Sequence, residues 1–273
     1  MNLELDGHTA YAYTGGKPFD PQLPGVVFVH GALHDHSVWG LQSRSLAHHG
    51  RAVLAVDLPG HGRSGGAALD VPGTGRWLAA LIEASGLRRS ALVGHSMGSL
   101  IALEAAARLG ERASALIMVG TAYPMKVSRK LLELCQRDVL AAIDLVNMLS
   151  NSTHAAKPSN PGPGFSIHGS NRALMRRMHG GYRAGHLFHA DFTACDAYAG
   201  LDGAAPKLRC PVTLVLGARD QMAPPKAATP LVEALQPRRV VTLPVGHNLM
   251  AEDPDGVLNA INEALKQSPP GRP

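Results

Sequence analysis

The sequence predicts an α/β fold in which a mostly parallel central sheet is flanked by helices and carries a helical insertion. Three observations lead there. Short unbroken apolar runs recur along the chain, among them VVFVH (26–30), AVLAVDL (52–58), ALIMVG (115–120) and PVTLVLG (211–217). Such runs are strands buried on both faces, as in a parallel sheet. Helix-forming stretches stand between them, and this alternation covers both faces of the sheet with helices. Between about 122 and 205 the alternation stops and only helical periodicity remains.

Each element follows in order. MNLELDGHTAYAY alternates around Asp6-Gly7 as a β-hairpin does. A loop, GGKPFDPQLPG (15–25), leads to the strands VVFVH and AVLAVDL. WLAALIEAS (77–85) reads as a helix ending at Gly86, and ALVG (91–94) as the next strand. A helix rich in alanine and leucine follows, then the strand ALIMVG. Residues 127–149 read as one long amphipathic helix, with Leu131, Cys135, Val139, Ala142 or Ile143 and Val146 on one face. The loop KPSNPGPGFS (157–166) and helical pieces at 172–178 and 187–198 complete a region too long for an ordinary connection. PVTLVLG and RVVTLP (239–244) are the last strands. The expected division is a core of 1–121 and 206–267, a helical insertion at 122–205 and a disordered tail at 268–273.

Composition narrows the function. Of 273 residues, 45% are hydrophobic and 17% charged, which suits a globular domain with a large core. No apolar run approaches the roughly 18 residues that span a bilayer, and the N-terminus lacks the basic start and apolar stretch of a signal peptide. Cys135, Cys195 and Cys210 are odd in number, scattered and without a C-x-x-C pair, so a reducing, cytoplasmic setting is expected. The net charge of +5 is dispersed and aromatic residues are only 4%, so no nucleic-acid partner is expected. The expected partner is a small molecule, with the chain a monomer or homodimer.

GHSMG (94–98) carries the chemistry. It fits G-x-S-x-G between a strand and a helix, the context in which the motif marks a nucleophile. A tight turn there leaves no room for a Cβ at Gly94 or Gly98 and pushes Ser96 out above the sheet. At a helix N-terminus, the dipole and free N–H groups face any oxyanion the serine creates. A serine hydroxyl needs a base, and the base an orienting acid, both beyond the carboxyl ends of later strands. GARD (217–220) offers Asp220 and GHN (246–248) offers His247. The chain order Ser96, Asp220, His247 is the one found with this elbow; Asp202 and Asp253 are weaker candidates for the acid. The oxyanion donors are the N–H groups of Met97 and of Ala32, with Gly31 letting the loop bend close to the elbow.

The landmarks VHGALHDHSVW (29–39), DLPGHGRS (57–64), GHSMG, GARD and GHN stand in an order that resembles the α/β-hydrolase superfamily. The resemblance covers the chain apart from the insertion and the tail. It is to a capped serine hydrolase of the bacterial carboxylesterase-like branch. It implies the α/β-hydrolase fold, a Ser96–Asp220–His247 triad with Ala32 and Met97 as donors, and a cap at 122–205 that selects substrates. It also implies a small or medium ester cleaved through an acyl-enzyme, without cofactor. Serine at the elbow departs from the aspartate of haloalkane dehalogenases and epoxide hydrolases. Meta-cleavage carbon–carbon hydrolases, lactonases, thioesterases and silent ligand receptors share this machinery, and those readings stay open.

The remaining candidates are weighed against plainer roles. Trp39, His34, Met175 and Met178 are candidate substrate contacts, with packing the alternative. His30 is expected to buttress the oxyanion loop, His95 to pack under or beside the nucleophile, and Asp57 and His61 to shape a turn. His34-Asp35-His36 and His186-x-x-His189-x-Asp191 complete no known ligand pattern, so no metal is expected. Arg172, Arg176, Arg177 and Arg183 form a solvated helix face, or else greet an anionic substrate.

Overall fold

In the computed structural model, which describes residues 1–152 and 166–266, the chain opens with a hairpin. Strands β1 (Asn2–Leu5) and β2 (His8–Tyr13) pair antiparallel with Leu5 opposite His8. Asp6 and Gly7 turn the corner with φ of 49° and 75°, the left-handed pair a two-residue hairpin requires. Then come β3 (Gly25–Val29), β4 (Ala52–Val56), β5 (Ser90–His95), β6 (Ala113–Val119), β7 (Val212–Gly217) and β8 (Arg239–Leu243). The eight strands stand in the order β1-β2-β4-β3-β5-β6-β7-β8. β2 meets β4 antiparallel, and every pairing from β4 to β8 is parallel.

Helices cover both faces. α1 (Gly40–His48), α2 (Val71–Ala84) and α3 (Met97–Leu109) lie among the strands, and α4 (Arg129–Arg137), α5 (Val139–Ser150), α6 (Ile167–Gly181) and α7 (Leu187–Ala197) between β6 and β7. α8 (Leu201–Ala204), α9 (Thr229–Leu235), α10 (Leu249–Glu252) and α11 (Pro254–Lys266) complete the order. Alternate residues of one strand serve opposite cores. Val27 and Val29 of β3 pack with Leu78 and Leu81 of α2 and Leu100 of α3, whereas Val26 and Phe28 pack with Leu46 of α1 and Ile261 of α11. None of the helices among the described residues is long and apolar enough to cross a membrane.

The insertion has its own core, where Leu131, Cys135, Ile143, Val146, Met175, Met178 and Phe188 gather around Leu33 from the loop after β3. The single long helix expected at 127–149 is two. Asp138 breaks it with non-helical backbone (φ −149°, ψ 83°), and its carboxylate accepts from the Ala141 N–H at 3.0 Å as the N-cap of α5. Because both helices bury the same face, the hydrophobic period runs through the break. α2 begins at Val71 rather than near Trp77, because Asp70 caps it and Pro72 occupies its first turn. The loop read at 157–166, apart from Ser166, and the tail expected at 268–273 lie outside the described residues.

Candidate active site

Ser96 sits between β5 and α3 with φ 53° and ψ −122°. For a non-glycine residue that conformation costs of order 1–3 kcal/mol and persists only where the surroundings impose it. Here the Ser96 N–H donates to Val119 O at 2.9 Å, and Ser96 O accepts from the Ser99 N–H at 2.8 Å and the Ser99 hydroxyl at 2.6 Å. The bordering glycines are close-approach positions, as the motif implies. A Cβ on Gly94 would lie 2.1 Å from Gly98 O, and one on Gly98 would lie 2.4 Å from His30 O.

The acid and base expected from the sequence follow β7 and β8. Asp220 lies just past β7, and its Oδ1 accepts from the N–H groups of Met222 at 2.8 Å and Ala223 at 2.7 Å. Its Oδ2 faces Nδ1 of His247 at 2.7 Å. Burial alone would push the Asp220 carboxyl up, but His247 and the two backbone donors hold it below its ordinary value. A carboxylate only accepts, so Nδ1 of His247 carries the proton and Nε2 is left with a lone pair. The His247 loop is tied to the elbow by His95, whose Nε2 donates to His247 O at 2.9 Å. It is also tied to the insertion, since the Asn248 N–H donates to Ser150 O at 2.9 Å. Glu252 Oε1 accepts from the N–H groups of both Gly246, at 3.1 Å, and Ser152, at 3.0 Å.

The donor side is equally constrained. Met97 opens α3, so its N–H is among the first-turn donors that have no intrahelical partner. Ala32 lies in the turn after β3, where a Cβ on Gly31 would come 3.2 Å from Ser96 Cβ. His30 supports that turn. Its Nδ1 lies 2.8 Å from Gly31 O and its Nε2 accepts from the Leu58 N–H at 3.1 Å, so the ring is neutral with its proton on Nδ1. Burial, with nearby His61 adding to it, pushes its pKa down to about 3.

His34 is held by a chain of amides. Nδ2 of Asn147 donates to His168 O at 2.8 Å, which leaves Asn147 Oδ1 to accept from Asn171 Nδ2 at 2.9 Å. Asn171 Oδ1 then faces Nε2 of His34 at 2.8 Å, so that nitrogen carries the proton. His34 and Asn248 border a cavity of about 870 Å³ between α1 and α6, whose apolar lining includes Leu41, Leu174 and Met250. Met175 is buried in the core of the insertion, and Met178 is buried there too while bordering a second cavity of about 750 Å³. Trp39 takes the packing role: it is fully buried against Phe28, with ring centroids 5.1 Å apart, and packs the sheet face covered by α1 and α11.

The other histidine clusters disperse. His36 Nδ1 meets Asp57 Oδ1 at 2.7 Å, while Asp35 Oδ2 accepts from Arg177 at 2.7 Å. Asp35, His36 and Asp57 do bring ligand atoms within 4.8 Å of one another, but protein donors already occupy both carboxylates. His186 stacks on His179 at 6.5 Å while Asp191 turns inward to Leu33 and His61. Arg172 pairs with Asp144 on the surface, its Nη2 lying 2.9 Å from Oδ2. The bonds from Asp191 to Leu33, from Glu252 to Ser152 and from Ser150 to Asn248 were not legible, because each joins segments about 100 or more residues apart.

Known proteins place this architecture. The family model described as "Alpha/beta hydrolase family" matches residues 26–260. The lipase LipV of Mycobacterium tuberculosis is 34% identical over 107 residues, 38% of this chain and 40% of that protein. The chain spans less than half the length of the curated relatives it matches, 28% of one and 40% of the other. Among solved structures, a thermophilic esterase superposes with a TM-score of 0.77 at 21% identity, covering 98% of this chain and 97% of that one. The enol-lactonase from Burkholderia xenovorans LB400 gives 0.77 at 18% identity, over 98% and 100% of the two chains. Identities that low bear on the fold, and the fold is shared nearly end to end. With the family model running from β3 into α11, the chain belongs to the alpha/beta hydrolase family.

Proposed function

We propose that the protein is a serine hydrolase that cleaves a small or medium carboxylic ester through an acyl-enzyme. One observation carries the reading: His247, oriented through Nδ1 by buried Asp220, sits on a loop bonded to the residue before Ser96. His247 Nε2 takes the Ser96 proton as Ser96 attacks the acyl carbonyl. The N–H groups of Ala32 and Met97 receive the oxyanion. His247 then protonates the leaving alcohol and activates the water that releases the acid. This chemistry calls for no cofactor.

Residues 122–205 are read as the cap over a core of 1–121 and 206–267. The cavity bordered by His34 and Asn248, close in the chain to Ala32 and His247, has a mainly apolar lining that suits an acyl or alcohol group. A lactone, an internal ester, is the second reading, favoured by the fold shared with the enol-lactonase. Two of the four cap arginines lend little to a carbon–carbon hydrolase of acidic dienoates, since Arg172 and Arg177 are engaged by Asp144 and Asp35. Three unpaired cysteines, two of them buried, support a cytoplasmic setting.

The test is hydrolysis of p-nitrophenyl esters of graded acyl length by wild type and Ser96→Ala, with fluorophosphonate labelling of both. Turnover and labelling that vanish in Ser96→Ala are expected. Equal rates in the two proteins would overturn the reading.

A further inference from the structure

We propose that Asp191, contributed by the helical insertion, is a positioning residue for the reaction: its carboxylate clamps the Gly31-Ala32-Leu33 turn that presents the Ala32 N–H to the oxyanion. The inference rests on the serine-hydrolase reading above and adds to it a role for the insertion beyond covering the pocket.

The turn is strained where the clamp acts. Leu33 has φ +54°, a left-handed conformation that costs a branched side chain roughly 1–2 kcal/mol. Its N–H donates to Asp191 Oδ2 at 2.8 Å. The same oxygen lies 2.9 Å from Nε2 of His61, in the loop between β4 and α2. The other ring nitrogen of His61 faces Pro59 O at 3.1 Å, and a carbonyl only accepts. With acceptors on both sides, both nitrogens donate and His61 is an imidazolium. Burial alone would lower its pKa, yet the charge and hydrogen bond of Asp191 raise it above the ordinary value.

The pair is buried, with side chains 1% and 3% exposed, and charge-assisted bonds are short and directional there. Leu33 is held a second time through its side chain, which is wholly buried among Met175, Met178 and Phe188 of the insertion. Backbone and side chain of the residue after the proposed donor are therefore both fixed by α6 and α7, across a chain separation of 158 residues for the Asp191 bond. A buried ion pair is weak as a stabiliser and better suited to fixing register. Here the register it fixes is that of an oxyanion donor.

The experiment compares wild type and Asp191→Asn. The asparagine keeps the shape but removes the charge that sustains the imidazolium. With His61 neutral and its proton on Nδ1 for Pro59 O, the one position that faces both groups cannot accept from Leu33 and donate to His61 at once. Three readouts are taken: ester kinetics, inhibition by an alkylboronic acid, which forms a tetrahedral adduct on the serine, and amide hydrogen exchange over 31–34. We expect kcat to fall about ten- to a hundredfold with KM within about threefold, since a displaced oxyanion donor weakens transition-state binding alone. The boronate Ki should rise in step, and exchange at Leu33 should quicken.

A rise in KM with kcat unchanged, or unaltered exchange at 31–34, would overturn the proposal. Should Asp191→Asn not fold, the wild type decides alone by nuclear magnetic resonance. A protected Leu33 amide and a doubly protonated His61 at neutral pH support the clamp, and a fast-exchanging Leu33 amide refutes it. If wild type neither hydrolyses esters nor binds the boronate, the hydrolase reading fails on its own measurement. The exchange data then show a clamp with no chemistry to serve, and the positioning role is overturned with it.

Discussion

Nε2 of His95 donates to the backbone carbonyl of His247 across 2.9 Å, with the two rings 4.8 Å apart. The residue before the elbow serine thus holds the loop that carries the proposed base. Burial, and after it the neighbouring His247 and His34, keep the His95 imidazole well below its ordinary pKa, so this donor stays neutral.

His95→Phe removes the donor and keeps an aromatic ring. We expect kcat to fall about ten- to a hundredfold with little change in melting temperature, the order of loss that a misplacement near 1 Å produces. His95→Gln, which still offers an N–H, should recover part of it. Steady-state ester kinetics on both variants are the check, and identical losses would argue against the bond as the cause.

Asp220→Asn tests orientation rather than charge alone. The amide can turn an N–H toward Nδ1 of His247, which imposes the wrong tautomer while the fold persists. A loss of about 10⁴ in kcat is expected by analogy with other triads. A loss below tenfold would move the acid role to another residue.

Two glycines predict opposite kinds of failure. A Cβ on Gly94 meets backbone at 2.1 Å from Gly98 O, so Gly94→Ala should yield unfolded or insoluble protein. A Cβ on Gly31 meets His95 Nδ1 at 3.0 Å, Ser96 Cβ at 3.2 Å and His95 O at 3.3 Å, all looser than the contact at Gly94. Gly31→Ala should therefore fold, melt a few degrees lower and lose most of its turnover. Circular dichroism melts beside ester rates distinguish the two.

Much of this architecture was legible because its signals are local. The strands announce themselves as apolar runs, the hairpin through Asp6-Gly7, and the elbow through a five-residue motif whose glycines answer to steric contact. Legibility failed where local signals conflict or partners are remote. Asp138 interrupts a helix whose hydrophobic period carries on unbroken into α5. Trp39 sits beside the oxyanion segment in sequence, yet its ring drops to the opposite face of the sheet. Asp191 shows in the sequence only within His186-x-x-His189-x-Asp191, which completes no ligand pattern, because its meaning depends on Leu33 and His61, which only the folded chain brings to it.

Acid stability should carry the signature of buried neutral histidines, and His30 is the one whose share can be isolated. In the folded protein His30 has its pKa pushed down to about 3 from an ordinary 6.5, first by burial and then by His61. Below pH 6.5 the unfolded chain takes up a proton that the folded one refuses until about pH 3. His30 therefore contributes stability that is complete above pH 6.5 and is lost progressively as pH falls through that window, by several kcal/mol in all. His61 has the opposite sign. Its raised value gives a contribution complete below 6.5 and lost as pH rises through the folded value, so it cannot cause an acid loss. His30→Gln, which keeps one donor and one acceptor for Gly31 and Leu58 and cannot titrate, should flatten the fall in unfolding free energy between pH 6.5 and 3. Urea melts at half-unit pH steps measure both slopes. Equal slopes in the two proteins would mean that His30 is already protonated where it stands, contrary to the Leu58 N–H that points at its Nε2.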